Sequence, residues 1–312
     1  MPSKKVFQKM QSYGPIALKL EKLTRRIDEP FEWDKISRLL STLAKLNANA
    51  SLQPVVEALS RDSYAYNREL ATNTIRQLWM RWKYLPYDDE KAYRERVKKY
   101  ISALAWTVPT LELLLKDRAV GPTELAVMAL SQMEPASSRM HRTLRPLAVH
   151  IMQHSSASVR VQAVQNVYYL YPYGDDGVIL DEAALAAMIA ATYDSSEKVR
   201  DWAIFTLHNN VQSNDPRVEK AFRDAFHRED PDSDAYMEAV NGLVVQGGEG
   251  EVVEVICQNL KREDCGTGWL DAANACKSKK CHEAMKDMKA RLTKSNPKDR
   301  RLDYLKTLLE SS

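Results

Sequence analysis

The chain has 312 residues, but only ten are glycine and 13 are proline, so it contains few of the residues that tight hairpins and dinucleotide-binding loops require. This argues against an all-β fold, and the 44% hydrophobic and 28% charged residues argue against global disorder. The net charge of +3 is unevenly distributed, because residues 175–254 carry −12 and residues 276–312 carry +6. The acidic stretch is either an ordinary solvated surface or a face that suits a basic partner.

The first ten residues carry charges but no apolar stretch behind them, so the sequence predicts no secretory signal. The longest nearly uncharged apolar run covers the eleven residues 183–193, whereas roughly 18 are needed to span a bilayer. We therefore expect a cytoplasmic protein whose cysteines are reduced.

Residues 1–117 are predicted to form a helical N-terminal part with degenerate repeats and an inserted hairpin. Apolar residues in 33–46 fall on one helical face. Further on, Trp79 and Trp82 alternate with basic residues, which suits a stacking platform for single-stranded nucleic acid or a flipped base. The alternative is a hairpin whose tryptophans pack while its cations face water. Neighbouring acidic residues favour the second interpretation.

Residues 118–275 are predicted to contain repeats, because a short pattern recurs every 36 to 40 residues around Ala126, Ala163, Ala203 and Ala239. Each copy has a short polar turn followed by a helix with apolar residues at i, i+4 and i+8. The turns offer side-chain oxygens to the first N–H groups of the helix. Such units stack as helix pairs, and a small alanine lets neighbouring helices approach closely.

The segment Asp194–Leu207, which reads DSSEKVRDWAIFTL, resembles a HEAT repeat of the short bacterial type. The resemblance implies an all-α fold, a right-handed superhelical α-solenoid of HEAT-like helix pairs. It also implies that the arginine of one repeat meets the turn aspartate of its neighbour. The structural repeat residues are then Arg160, Ala163, Asp194, Arg200, Ala203, Asp230 and Ala239.

Residues 276–312 are predicted to be basic C-terminal capping helices. The four cysteines, Cys257, Cys265, Cys276 and Cys281, lack the close C-x2-C pairs of structural zinc sites. Buried thiols that fill the last repeat are the favoured interpretation, with a metal site or oxidation to disulfides as alternatives. We expect no cofactor and no metal.

The sequence contains no phosphate-binding glycine loop, no G-x-S-x-G elbow and no H-E-x-x-H helix, so no catalytic residue is predicted. The leading prediction is a non-enzymatic protein-binding scaffold, an adaptor or an immunity-like neutralising partner. Its concave face would grip another protein, which the acidic stretch predicts to be basic. The predicted protein-binding residues are Asp201, Trp202, Asp232, Asp234 and Glu238.

The resemblance to HEAT repeats leaves two other functions open. HEAT-like DNA glycosylases are similar in size and helical content, but they need a continuous basic groove, and the charge of −12 over residues 175–254 argues against one. Bilin lyase-like proteins also carry such repeats, although no aromatic or thiol residue specifically supports that function. We expect no nucleic-acid or membrane partner, and a monomer when no partner is bound.

Overall fold

The computed structural model describes residues 53–80, 83, 85–87, 89–133 and 136–311, and its regular elements there are helices. We number these α-helices in chain order. They are α1 (Gln53–Ser60), α2 (Ala65–Met80), α3 (Glu90–Ala103), α4 (Thr107–Leu114), α5 (Val120–Leu130), α6 (Ser138–Ile151), α7 (Ala157–Asn166), α8 (Glu182–Ala191), α9 (Glu197–Asn209), α10 (Pro216–Arg228), α11 (Asp234–Val245), α12 (Glu249–Asn259), α13 (Thr267–Ala275), α14 (Lys279–Ser295) and α15 (Arg301–Ser311). A 3-10 turn, Val167–Leu170, follows α7.

The chain divides into two compact units, residues 1–172 and 173–312. In the first unit, helices α1, α4 and α6 each precede a second helix, α2, α5 or α7, and the second helices pack on one another in order. Helix α3 is inserted between α2 and α4. In the second unit, α8, α10, α12 and α14 precede α9, α11, α13 and α15, which again pack consecutively. The prediction of an all-α solenoid of helix pairs is confirmed.

The alanines chosen from the sequence lie on the buried side of the second helices. Ala163, Ala203 and Ala239 each have 0% of their surface exposed. A larger side chain at these points would separate two helices, since protein interiors leave few voids. The recurring alanine therefore marks the packed side of each second helix.

The turn aspartates act slightly differently from the prediction. Asp194 accepts a hydrogen bond of 2.8 Å from the N–H of Ser196, and Asp230 accepts one of 2.9 Å from the N–H of Asp232. Both N–H groups lie before the first helical residue, so these aspartates close the turn. The cap of α11 is instead Ser233, whose hydroxyl accepts from the N–H of Tyr236 at 3.2 Å.

The first residues of the second unit form a short irregular segment before α8. Val178, which is fully buried, bridges to Tyr173 and to Val211, and these isolated bridges are the β-type pairings of the described residues. The predicted division into residues 1–117, 118–275 and 276–312 stays a prediction. The helix predicted over residues 33–46 lies outside the described residues.

Candidate protein-binding face

Arg200 joins two neighbouring helix pairs. Its Nε and Nη2 donate to the two carboxylate oxygens of Glu229 at 2.7 and 2.9 Å, and its Nη1 donates to the carbonyl oxygen of Asp194 at 3.0 Å. The acid is therefore Glu229, the residue before the turn aspartate Asp230 that the resemblance implied. A paired, planar arginine of this kind fixes both the turn that precedes its own helix and the next repeat.

Two further arginines occupy the same position, three residues before the aligned alanine. Nη1 of Arg160 donates to the carbonyl oxygens six and five residues earlier, at 2.8 and 3.1 Å. Arg68 repeats this pattern at 2.8 and 3.0 Å and also forms a two-point ion pair with Asp117. Sequence analysis missed the role of Arg68, although its spacing to Ala71 was the available signal. We call Arg68, Arg160 and Arg200 the turn arginines.

The carboxyl group of Glu229 is held ionised in a buried position. Its side chain is 4% exposed. Burial alone would raise the pKa of Glu229, but hydrogen bonds from Arg200 and Arg228 outweigh this and hold the pKa below its ordinary value. Glu229 is therefore part of the packing between repeats and is not available to a partner.

The pKa of Asp201 is shifted in the opposite direction from that of Glu229. It is half-buried on α9 and lies near the backbone N–H of Ala235 in the first turn of α11. Burial, and after it the negative charges of Asp234 and Glu197, raise the pKa of Asp201 above its ordinary value. Among the described residues, none of these three acids forms an ion pair. They make a local cluster of acids without a direct ion pair, although the positive charge of Arg200 lies close enough to attract Glu197.

Aromatic side chains lie on the same side of α9 as Asp201. The rings of Trp202 and Phe205 meet edge to face with their centroids 5.4 Å apart, and Phe205 is 36% exposed. Phe205 follows Asp201 by four residues, so the two side chains are neighbours on the helix surface. Sequence analysis missed Phe205, because helical spacing alone does not show that a phenylalanine is exposed. We define Glu197, Asp201, Trp202, Phe205 and Asp234 as the α9–α11 face.

The other two predicted binding residues are used differently. Glu238 accepts hydrogen bonds from Nδ1 of His208 at 2.9 Å and from the amide of Asn209 at 3.2 Å, so it connects α11 to α9. Its side chain is only 15% exposed. Asp232 is exposed and pairs with Arg262 at 2.8 Å. The structure thus brings Asp201, Trp202 and Asp234 together on one face, but places Glu238 and Asp232 in other contacts.

Many acids of the first helices in the second unit are already paired with cations. Arg217 pairs with Glu182 and Asp215, and Arg223 pairs with Glu219 and Glu251. These pairs neutralise the charge locally, although their solvent exposure limits their contribution to stability. Among the described residues, the acids of the α9–α11 face lack such ion pairs.

The four cysteines are free thiols, and all of them are buried. Sγ of Cys281 lies 3.7 Å from Sγ of Cys276 and 4.0 Å from Sγ of Cys257. These thiol contacts connect α14 with α12 and with the C-terminal end of α13. Burial raises the pKa of the Cys281 thiol and raises that of Cys265 to about 11. In the part of the chain that the structure describes, no group of three or more His, Cys, Asp and Glu residues is placed to hold a metal ion.

Trp79 does not form a stacking platform. It is 0% exposed, and its Nε1 donates to the hydroxyl of Thr107 at 3.0 Å, so it belongs to the core. Trp82 lies outside the described residues. Across the described ranges, we find no helix with the length and apolar character that crossing a membrane requires.

No known family model matches the chain, and no curated protein matches it in sequence. Among solved structures, the X-ray structure of YibA from Escherichia coli covers 100% of this chain and 98% of its own, with a TM-score of 0.63 and 14% identity. A designed armadillo repeat protein in complex with the peptide (KR)4 covers 77% of this chain and 98% of its own, with a TM-score of 0.46 and 16% identity. The similarity to YibA shows a shared helical-repeat fold. The similarity to the designed armadillo repeat protein is too weak to support an inference.

Proposed function

We propose that the chain is a non-enzymatic scaffold of HEAT-type repeats, an adaptor or a neutralising partner, that binds a basic segment of another protein on its α9–α11 face. The HEAT assignment is supported by the three turn arginines, which occupy one position of the repeat and bind the preceding turn in the same way. The binding assignment rests on the electrostatics of Asp201.

Asp201 differs from the other shifted carboxyl groups of the second unit. Elsewhere in the described part of that unit, each carboxyl group with a shifted pKa is held below its ordinary value by arginine or lysine. The pKa of Asp201 is raised, first by burial and then by neighbouring acids. A cation brought by a partner would relieve this repulsion, and like-charge clusters that cost stability are typical of binding sites.

The aromatic residues of the face suit the same partner. Trp202 and Phe205 pack edge to face on α9, and Phe205 is 36% exposed. Arginine and lysine side chains bind aromatic faces through cation–π contacts and carboxylates through charged hydrogen bonds. A lysine- or arginine-rich segment would therefore gain from both components of the α9–α11 face.

Photo-crosslinking tests where the partner binds. A photoreactive phenylalanine analogue is placed at Phe205 in the tagged full-length chain, and at the exposed Ala186 of α8 as a control. After irradiation in the native host, we expect a covalent adduct with one partner from position 205 and little from position 186. An adduct formed only from position 186 would show that the partner binds elsewhere.

Kinetics with the recovered partner test the charge mechanism. The double variant Asp201→Asn and Asp234→Asn removes two charges and nearly preserves the size of both side chains. We expect association to slow by about tenfold and to lose most of its salt dependence. The control, Glu182→Gln with Asp215→Asn, removes two charges from the first helices and should bind as the wild type does. Equal rates for both double variants would contradict the proposal.

A further inference from the structure

Three of the four buried cysteines lie in contact near the C-terminal end of the second unit. Sγ of Cys281 lies 3.7 Å from Sγ of Cys276 and 4.0 Å from Sγ of Cys257. Cys276 and Cys281 are 0% exposed, and Cys257 is 5% exposed. We call these three residues the thiol cluster, and Cys281 is the member that both thiol contacts share.

The fourth cysteine provides an internal comparison. Cys265 is also buried, but its Sγ donates to the carbonyl oxygen of Gly266 at 3.6 Å. Among the described residues, no second thiol is a partner of Cys265. Burial raises the pKa of the thiols of both Cys265 and Cys281. The two cysteines therefore differ mainly in whether a neighbouring thiol is present.

Both thiol contacts connect the last helix pair to the pair before it. Cys281 lies in the first turn of α14, whereas Cys276 is the C-cap of α13 and Cys257 lies in α12. In the described part of the chain, α14 and α15 pack mainly on each other and on α12 and α13. A repeat at the end of an array has one neighbour, so it opens more readily than a repeat packed on both sides. A covalent bond at Cys281 would oppose this opening.

We propose that the thiol cluster is a peroxide-responsive disulfide site, in which Cys281 bonds to Cys276 or to Cys257. A thiolate of the cluster attacks hydrogen peroxide, the O–O bond breaks, and a sulfenic acid and hydroxide form. The neighbouring thiol attacks the sulfenic sulfur, and the S–O bond breaks as the S–S bond forms. Two thiols are thereby oxidised to one disulfide, and the peroxide is reduced to two waters.

The geometry suits the second step. A disulfide holds its sulfurs about 2.05 Å apart, so each sulfur of the closer pair has to move by less than about 1 Å. Because burial disfavours the thiolate, the first step takes place when the last helix pair opens briefly. This response is separate from the binding proposed for the α9–α11 face.

Peptide mapping of the full-length chain after treatment with hydrogen peroxide tests the proposal. The remaining thiols are alkylated in denaturant, and disulfide-linked peptides are measured by mass spectrometry. We expect links from Cys281 to Cys276 or Cys257 to be at least about tenfold more abundant than links to Cys265, because a held neighbour reacts faster than a distant thiol. A thiol cluster that stays unlinked, or equally abundant links to Cys265, would overturn the proposal.

Two alanine variants test whether Cys281 is the shared partner. Cys281→Ala should abolish the links, whereas Cys276→Ala should still form the bond between Cys257 and Cys281. A bond between Cys257 and Cys276 that forms in Cys281→Ala as fast as the wild-type links would overturn this role.

Hydrogen exchange measures the effect on the last helix pair. After oxidation of the wild type, amides of α14 should exchange at least about threefold more slowly than in the reduced chain, and amides of α7 should not change. Unchanged exchange in α14 of the oxidised chain would contradict the stabilising role of the bond.

Discussion

Replacement of Arg200 by methionine tests how strongly a turn arginine connects neighbouring repeats. Methionine retains an unbranched apolar side chain but removes every donor. The variant therefore loses both hydrogen bonds to Glu229 and the one to the carbonyl oxygen of Asp194. The remaining partner of Glu229 is Arg228, whose Nη2 lies 2.7 Å from Oε1.

The size of the effect follows from the burial of Glu229, whose side chain is 4% exposed. Removal of one partner of a buried ion pair costs about 3 to 5 kcal/mol, because a charge is left without compensation. Since Arg228 still compensates part of this charge, we expect Arg200→Met to lower the free energy of unfolding by about 2 to 3 kcal/mol. For a chain of 312 residues, the corresponding decrease in Tm is about 3 to 5 °C.

The loss should depend on pH. In the wild type, burial raises the pKa of Glu229, but Arg200 and Arg228 hold it below its ordinary value of 4.5. The stabilisation from this pair is therefore present above about pH 4.5 and is lost as the pH falls through the lowered pKa. In the variant, burial raises the pKa of Glu229 relative to the wild type, so its protonation at low pH relieves the penalty. The difference in stability should be largest near pH 7 and smaller near pH 4.5.

Urea unfolding at both pH values measures the effect, and Arg217→Met is the matched control. Arg217 also binds a carboxylate at two points, since its Nη1 and Nη2 both lie 2.8 Å from the oxygens of Glu182. The side chains of its two partners, Glu182 and Asp215, are 73% and 22% exposed, so water replaces most of the lost contacts and Tm should change less than in Arg200→Met. Equal destabilisation by the two substitutions, or a penalty for Arg200→Met that does not shrink in acid, would refute the reasoning.

Two other predictions concern packing and the thiols. Gly242→Ala should destabilise the chain by about 1 to 3 kcal/mol, because the new Cβ would lie 2.6 Å from Cδ2 of the buried Phe222. Gly250→Ala in α12 should stabilise it by about 0.5 to 1 kcal/mol, because the new Cβ would have no atom within 4 Å and alanine favours helix more than glycine does. Urea unfolding measures both changes in the free energy of unfolding. If both variants were stabilised, helix propensity alone would determine the effect and the contact with Phe222 would not matter. Cys265 and Cys281 should react with N-ethylmaleimide near pH 8 at least about tenfold more slowly in the folded chain than after denaturation, because burial raises both thiol pKa values. Mass spectrometry of alkylated peptides measures these rates, and equal rates would contradict the burial.

The fold could be predicted because its determinants are local in sequence. A polar turn followed by apolar residues at i, i+4 and i+8 predicted a helix around Ala203, and the observed α9 is Glu197–Asn209. The aligned Ala203 and Ala239 are fully buried, as expected from their place on the apolar side of each helix. Each helix pair needs its neighbours to bury its apolar surface, so the repeat pattern also indicated the stacking.

The candidate site could be predicted only in part, because exposure and pairing depend on contacts between repeats. The sequence predicted Asp201 and Glu238 as protein-binding residues, but only the structure shows that Glu238 binds His208 on the preceding second helix. In the same way, the pattern identified Arg200 as structural but not Glu229 as its partner. The choice between the adjacent acids Glu229 and Asp230 is made by tertiary contacts that one repeat's sequence does not contain.

These contacts change how the binding residues must be tested. A reversal of charge at Glu238 would remove its hydrogen bonds to α9, so weaker binding in that variant would not distinguish a lost contact from a loosened repeat. Asp201 offers a cleaner test. Because its pKa in the folded chain is raised above the ordinary value of 3.8, its ionised form destabilises the free chain as the pH rises above that value. Neutralisation of Asp201 and Asp234 should therefore stabilise the free chain while it slows association, and two effects of opposite direction cannot both come from a damaged fold.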